Sequence, residues 1–358
     1  CFNASVFPDE WKKGNVIPVY KKGDKHTISN YRPISLLPIF SKIFERIIFD
    51  TVFTHIDQNN LINPNQSGFR PGDSCIHQLI SITHDIHKNF DVNPSLEVRG
   101  LFLDISKAFD RVWHKGLLYK IKNFGIEGSL FDLIESFLSN RYQRVTINGQ
   151  ASHCLPINAG VPQSSILGPL LFLIYINDLP DGLYSNVKLF ADDTAIFSTV
   201  NTANQSINEL EHDLNKIRNW GIQWKMLFNP DVTKPIKEVI FSNKLNKTNH
   251  PDLLFNNVKI ERGPDEKHLG LILDDKLSFK KHIDEKINKA MKVVGSIRRL
   301  SPVLPRFSLL TIFKSFVRPH LDYGDIIYDQ PNKQYINEKI ESVQYNAALA
   351  ITGAIRGS

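Results

Sequence analysis

The stretch Val187-Lys188-Leu189-Phe190-Ala191-Asp192-Asp193-Thr194-Ala195-Ile196-Phe197-Ser198 constrains the fold most. Two short apolar runs, rich in β-branched and aromatic residues, flank a centre holding two adjacent carboxylates. This is the pattern of a β-hairpin with Asp192 and Asp193 at its turn. Asp is a common turn residue, so by itself the pair is consistent with a plain polar turn. Beside buried strands, however, two like charges repel and are costly to desolvate. A divalent cation offsets that cost, and Mg²⁺ is a hard ion that prefers oxygen ligands. The reading then turns on a third carboxylate and a place for phosphates.

Val98 to Ile105 (Val-Arg-Gly-Leu-Phe-Leu-Asp-Ile) is mostly apolar and does not alternate. It reads as a central strand buried on both faces. Asp104 stands at its end, before Ser106-Lys107-Ala108-Phe109-Asp110. A helix-leading Asp is the plain alternative. If this strand and the hairpin are neighbours in one sheet, Asp104, Asp192 and Asp193 converge. Such a trio suits two Mg²⁺ ions roughly 4 Å apart. Phosphoryl transfer asks little more of a protein than positioning and positive charge. Lys21 and Arg32, in the basic extended segment 11–38, and Lys234, in the loop after Pro230, are candidates for that charge. A solvated surface loop is the alternative for segment 11–38.

Periodicity predicts a helix over Ser41–Ile56, with Ser41 as N-cap and Ile43, Phe44, Ile47, Ile48, Val52, Phe53 and Ile56 on one face. A second helix carries Ile76, Leu79, Ile80, Thr83, Ile86 and Phe90. Helical patterns follow at 111–124 and 129–138, then a hairpin signal around Asn148-Gly149. Gly160-Val-Pro-Gln-Ser-Ser-Ile-Leu-Gly-Pro169 is a small-residue loop opening the apolar helix Leu170–Ile176. Such a loop either lets backbone N–H groups approach a ligand or simply starts the helix. A helix over Ile207–Trp220, a strand over Glu238–Phe241 and a hairpin-like region reaching Leu273 come next. Beyond Ser278 the chain turns helical. There Lys281, Lys289, Lys292, Arg298 and Arg299 decorate a helix whose apolar face includes Ile283, Ile287, Met291 and Val294. That charge is either a solvated face or a surface tracking a nucleic-acid backbone.

The 358 residues, 42% of them hydrophobic, suffice for a large core and more than one lobe. A net charge of +6 permits a nucleic-acid partner without requiring one. Cys1, Cys75 and Cys154 are far apart, which excludes a disulfide scaffold or cysteine-rich zinc site and fits a reducing compartment. His114 and His268 lack a metal-ligand partner at useful spacing and read as structural. No apolar run reaches membrane-spanning length, and no signal-peptide pattern opens the chain. A start at Cys1 and a stop just after a helical pattern lead us to expect that both ends are cut from something longer.

Taken in order, Asn30-Tyr-Arg-Pro-Ile-Ser-Leu-Leu-Pro38, Ser67-Gly-Phe-Arg70, Leu101-Phe-Leu-Asp-Ile-Ser-Lys-Ala-Phe-Asp110, Gly160 to Pro169, Phe190-Ala-Asp-Asp-Thr194, Phe228-Asn-Pro-Asp231 and Lys267-His-Leu-Gly270 form a specific series. Along essentially its whole length the chain resembles reverse transcriptases of non-LTR, LINE-type retrotransposons of the jockey-like group. The resemblance implies an α+β right-hand polymerase fold: fingers and an antiparallel-sheet palm over 1–278, and a basic helical thumb over 279–358. It implies an RNA-directed DNA polymerase that joins dNTPs to a DNA primer on an RNA template. Two Mg²⁺ ions, or Mn²⁺, would be held by Asp104, Asp192, Asp193 and the Ile105 carbonyl. Lys21 and Arg32 are similar to the triphosphate grips and Gln163 to a contact with the incoming nucleotide. Phe109 would lie under the sugar and exclude a 2′-hydroxyl. Lys234 resembles the general acid for the pyrophosphate. Lys281, Lys289, Lys292, Arg298 and Arg299 would track the primer–template. An upstream endonuclease domain is expected in the full element, with an intracellular location, in cytoplasm and nucleus, and no membrane.

One residue departs from the family pattern. Ser164 stands where glycine usually follows the glutamine, adding a Cβ at a close approach. A catalytically impaired nucleic-acid-binding relic of the same fold therefore stays open as an alternative. So does an RNA-dependent RNA polymerase on the same palm, against which Phe109 argues. A purely structural domain would leave the three acids unexplained.

Overall fold

The computed structural model describes residues 4–200, 203–229, 235–245, 248–329 and 334–354. In chain order, strands β1 (Lys13–Tyr20) and β2 (Tyr31–Leu36) precede helices α1 (Ile39–Gln58) and α2 (Cys75–Val92). Strand β3 (Glu97–Asp104) leads into α3 (Ala108–Arg111), α4 (His114–Asn123) and α5 (Gly128–Leu138). Strands β4 (Arg141–Ile147), β5 (Gln150–Ala151) and β6 (Leu155–Ile157), helix α6 (Leu167–Ile176), hairpin β7 (Asn186–Phe190) and β8 (Asp193–Val200), and helix α7 (Ala203–Gln223) follow. Then come β9 (Lys237–Ser242), β10 (Leu254–Phe255), β11 (Val258–Lys259), β12 (Glu261–Gly263), β13 (Asp265–His268) and β14 (Leu271–Asp274). The last helices are α8 (Lys280–Leu300), α9 (Arg306–Ile312), α10 (Arg318–Asp322), α11 (Asp325–Tyr328) and α12 (Gln334–Thr352).

The unbroken apolar run of β3 puts it at the centre of a five-stranded sheet, order β12-β9-β3-β8-β7. Its first seven residues are buried, as expected for a strand covered on both faces. One face packs on α6, in which every residue but Pro169 is buried, together with α1, α4 and α5. The other packs on α2 and on residues of α8, α11 and α12. A second five-stranded sheet joins β2, β1, β4 and β5, with β6 on β4. Here β1 runs parallel to β4, and Asn148 and Gly149 turn β4 into β5 with positive φ at both residues.

Three expectations need correction. Ser41 does not cap α1: the helix starts two residues earlier behind Pro38, and the Ser41 hydroxyl is buried, donating to Glu45 Oε1 at 2.8 Å. The buried face of α1 is Ser41, Phe44, Glu45, Ile48, Val52 and Ile56, while Ile43 and Ile47 are exposed. Glu45 is a buried acid with work to do, since its Oε2 accepts from the Ile166 and Leu167 N–H groups at the start of α6. The 111–124 helix is two, because the chain is extended at Val112 and Trp113. The carbonyls of Phe109 and Val112 accept instead from the N–H groups of Val161 and Gly160, at 2.8 Å each.

Candidate active site

Antiparallel pairing of β3 with β8 places Asp104 directly opposite Asp193. Residues in register across a strand pair share a face of the sheet, so the carboxylates stand side by side. The β7–β8 pairing closes at Phe190 opposite Asp193, which leaves Ala191 and Asp192 as the turn. Ala191 is left-handed there (φ 54°). The end of β3 is pinned from the far side: Asp104 N–H donates to Asn229 Oδ1, and Asn229 N–H donates back to the Asp104 carbonyl, each at 2.9 Å. Ile105 bridges Phe228, and Ser106 N–H donates to the Leu227 carbonyl.

Asp104, Ile105 and Asp192 line a cleft of about 1530 Å³. The same cleft is lined by Lys21, Lys22 and Lys25, in the connection between β1 and β2, and by Arg32 of β2. Carboxylates and cations thus share one cleft, the polarity that a cation-neutralised polyphosphate would match. Phe109 and Gln163 line the same cleft. Phe109 stacks on Phe172 of α6 (4.8 Å, 18°) and meets Phe69 edge-on (6.2 Å, 85°), so its ring is held from two directions. Gln163 Nε2 donates to Asp110 Oδ1 at 3.0 Å. Desolvation raises the Asp110 carboxyl above its ordinary range, and the Gln163 bond opposes it. Gly160 is bound to its residue type: φ is +88° and a Cβ would lie 2.8 Å from the Asp110 carbonyl oxygen.

Ser164 lies in the same cleft at φ +90°, the backbone that favours glycine. Its hydroxyl donates a short hydrogen bond to the Ser35 carbonyl of β2, and Ser35 N–H donates to the Gln163 carbonyl at 3.2 Å. Those two bonds tie the basic sheet to the loop that carries Gln163.

The other expected site residues are dispersed. Lys234 lies outside the described residues. On α8, Lys281 pairs with Asp265 at 2.7 Å and Lys289 with Glu285 at 2.5 Å, while among the described residues Lys292, Arg298 and Arg299 make no ion pair. His114 is held by the Gly160 carbonyl, at 2.7 Å from Nε2, and burial lowers its pKa. His268 is buried against Phe102, and burial takes its pKa down to about 4. Among the described residues, no three His, Cys, Asp or Glu side chains gather closely enough to hold a metal ion. Asp104 and Asp192 line one cleft and Asp193 stands in register with Asp104, at one end of one strand pair, without the three closing on a point. Their donors, carboxylate and carbonyl oxygens, are the type that hard divalent ions take. Among the described residues no helix is long and apolar enough to cross a membrane. Sequence reasoning gave no role to Gln66 or Asp110.

Residues 19–241 match the family model described as reverse transcriptase (RNA-dependent DNA polymerase). The chain belongs to the reverse transcriptase family. As a reverse transcriptase it is 32% identical over 370 residues to the RNA-directed DNA polymerase from mobile element jockey of Drosophila melanogaster, covering 98% of this chain and 39% of that protein. It is 32% identical over 365 residues to the probable RNA-directed DNA polymerase from transposon X-element of the same species, with the same coverage. The chain thus spans about 39% of the length of the curated relatives it matches. Among solved structures, apo telomerase from Candida tropicalis is similar at a TM-score of 0.57, over 97% of this chain and 59% of that one, at 10% identity. At that identity the likeness shows the fold alone, an α+β polymerase fold. Reverse transcriptases are divalent-metal-dependent, in keeping with these oxygen donors.

Proposed function

We propose that this chain is the RNA-directed DNA polymerase of a non-LTR retrotransposon, adding dNTPs to a primer 3′-hydroxyl on an RNA template. The observation that carries the reading is the register of Asp104 opposite Asp193, with Asp104 lining the same cleft as Lys21 and Arg32. Asp104, Asp192, Asp193 and the Ile105 carbonyl would hold two Mg²⁺ ions, or Mn²⁺, which would supply activation of the 3′-hydroxyl and neutralisation of the pyrophosphate. Lys21 and Arg32 hold the triphosphate by charge and orient its leaving end. Phe109, braced by Phe172, fills the space under the sugar and excludes a 2′-hydroxyl. Gln163 orients the nucleotide, and Lys234 gives a proton to the leaving pyrophosphate. We assign 1–278 to fingers and palm and 279–358 to a thumb. On it Lys292, Arg298 and Arg299 face the primer–template backbone, with Lys281 and Lys289, paired to Asp265 and Glu285, contributing less. The chemistry assigns the protein to the interior of the cell, in cytoplasm and nucleus. In the full element we expect an endonuclease domain upstream.

The test is dTTP incorporation on poly(rA)–oligo(dT) with Mg²⁺ or Mn²⁺. Asp192→Asn removes a charge worth several kcal/mol to the transition state, so the rate falls by about 10³-fold. Equal rates in the two proteins would overturn the assignment. Ser164, with its strained φ, favours a second reading in which this copy is impaired. In that case the wild type is silent and Ser164→Gly is active. Incorporation of UTP in place of dTTP would instead mark an RNA polymerase.

A further inference from the structure

The segment Asn65–Phe69 lies along the outer edge of β7 and reaches over the hairpin turn. Leu189 N–H donates to the Asn65 carbonyl and Ser67 N–H to the Leu189 carbonyl, at 2.9 Å each, so this short strap extends the sheet by one parallel rung. Its upstream end is fixed to α6, since Asn63 N–H donates to Asn177 Oδ1 at 2.7 Å. The side chain of Gln66 is 2% exposed. Its Oε1 accepts two backbone bonds, from Gly68 N–H at 2.7 Å and from Ala191 N–H at 3.0 Å. The second is the bond that matters, because Ala191 is the left-handed residue immediately before Asp192. Gly68 is pressed onto the same turn: a Cβ there would lie 2.3 Å from the Ala191 nitrogen. One residue on, Phe69 takes a left-handed φ of 57°, is half exposed to the cleft, and sets its ring against the edge of Phe109. One left-handed residue, Phe69, next to a glycine whose Cβ would collide with the hairpin turn, marks a segment held in place against both parts of the site.

We propose that Gln66 and Phe69 are positioning residues that couple the carboxylate hairpin to the aromatic wall of the nucleotide site. Gln66 holds the Ala191 turn, and through it the direction in which Asp192 faces the cleft. Phe69 blocks the retreat of Phe109, and through it sets how firmly a 2′-hydroxyl is refused. The inference rests on the polymerase reading above and adds two residues to it. The chemistry of Gln66 is specific: what the turn needs is a buried acceptor, and a glutamate supplies one while leucine does not. Two backbone N–H groups pointing at one oxygen also favour a carboxylate there.

The experiment compares wild type, Gln66→Leu, Gln66→Glu, Phe69→Ala and Phe109→Ala. Hydrogen exchange of the 187–195 amides reads the turn without any activity. It speeds up in Gln66→Leu and stays near wild type in Gln66→Glu. In primer extension, Gln66→Leu lowers kcat about 10- to 100-fold at a nearly unchanged dNTP KM, and Gln66→Glu restores most of it. Phe69→Ala lowers the preference for dTTP over UTP about tenfold, in the direction of Phe109→Ala. The proposal is overturned if exchange rises in Gln66→Leu while kcat holds, if Gln66→Glu is as defective as Gln66→Leu in both readouts, or if Phe109→Ala loses selectivity and Phe69→Ala keeps it. If the wild type makes no product, the same variants are compared in a Ser164→Gly background; silence there as well fails the polymerase reading, and exchange then decides alone whether Gln66 holds the turn.

Discussion

Ser164 is held where a side chain is strained, and its own hydroxyl does part of the holding. The left-handed φ of +90° costs on the order of 1 kcal/mol relative to glycine. The hydrogen bond to the Ser35 carbonyl returns about as much. Ser164→Ala keeps the strain and loses the bond, so it lowers the unfolding free energy by about 1 kcal/mol. Ser164→Gly loses both and stays within about 0.5 kcal/mol of wild type. Urea denaturation of the two variants measures this, and a Gly variant less stable than the Ala variant would refute the account. The departure at 164 was legible in the sequence, but its consequence was not, because the Ser35 carbonyl lies 129 residues away. Contrast explains the difference: Asp104, Asp192 and Asp193 are charges among apolar neighbours, and charge in an apolar run announces itself. Gln66 and Glu45 are polar residues in ordinary-looking segments, and their partners stand 125 and 121 residues off. No local pattern carries such pairings.

At the level of elements, α1 and α8 show where periodicity suffices and where it does not. The α1 pattern gave the helix and most of its buried face, Phe44, Ile48, Val52 and Ile56, but spread it to the exposed Ile43 and Ile47, because apolar residues on both sides leave the period ambiguous. What turns it is Glu45, whose carboxylate must reach the N–H groups of α6. The α8 pattern gave Ile283 and Val294 as buried, and they are. Its lysines, which look equivalent in the sequence, are not equivalent in the fold. Lys281 and Lys289 already face the carboxylates of Asp265 and Glu285. A cation so paired gains little by meeting a phosphate. Each full phosphate contact contributes about 0.7 to 0.9 to the slope of log affinity against log salt. Lys292→Ala and Arg298→Ala therefore each reduce the slope for an RNA–DNA hybrid by about that amount, and Lys281→Ala by much less. Fluorescence anisotropy across NaCl concentrations checks it, and an equal loss for Lys281→Ala would sink the distinction. The parallel pairing of β1 with β4 had no sequence signal either, since the strands are joined through more than a hundred residues.

Across the whole molecule, the helices after Ser278 are not a separate body. Phe279, Ile283, Ile327, Tyr328 and Ile336 share one apolar cluster with Leu79, Val98, Phe102 and Phe241. His268 and His282 sit at this junction: His268 against Phe102, His282 tilted on Tyr328 with Nδ1 accepting from Ile272 N–H at 3.3 Å. Burial lowers both pKa values to about 4, so the folded protein keeps both rings neutral where the unfolded chain takes up protons. The unfolded state therefore binds more protons between about pH 6.5 and 4. Stability is fully present above that window and falls as the pH drops through it. The Tm declines between pH 7 and 4.5, and in His268→Phe, which keeps the packing and cannot be protonated, it declines less steeply. Matching slopes would mean that the junction is not what acid opens.

The pairing of Asp104 with Asp193 carries one more implication, for how such a chain can change over generations. Successive residues of a strand point to opposite faces, so a single insertion or deletion inside β3 or β8 would turn one acid away from the other. Substitutions there can be graded, but length cannot. The small hairpin β10–β11 (Leu254–Lys259), which pairs with neither five-stranded sheet, carries no such constraint from the acids. Copies of this chain can therefore drift in length in that region and still keep their chemistry, whereas one inserted codon in either central strand would end it.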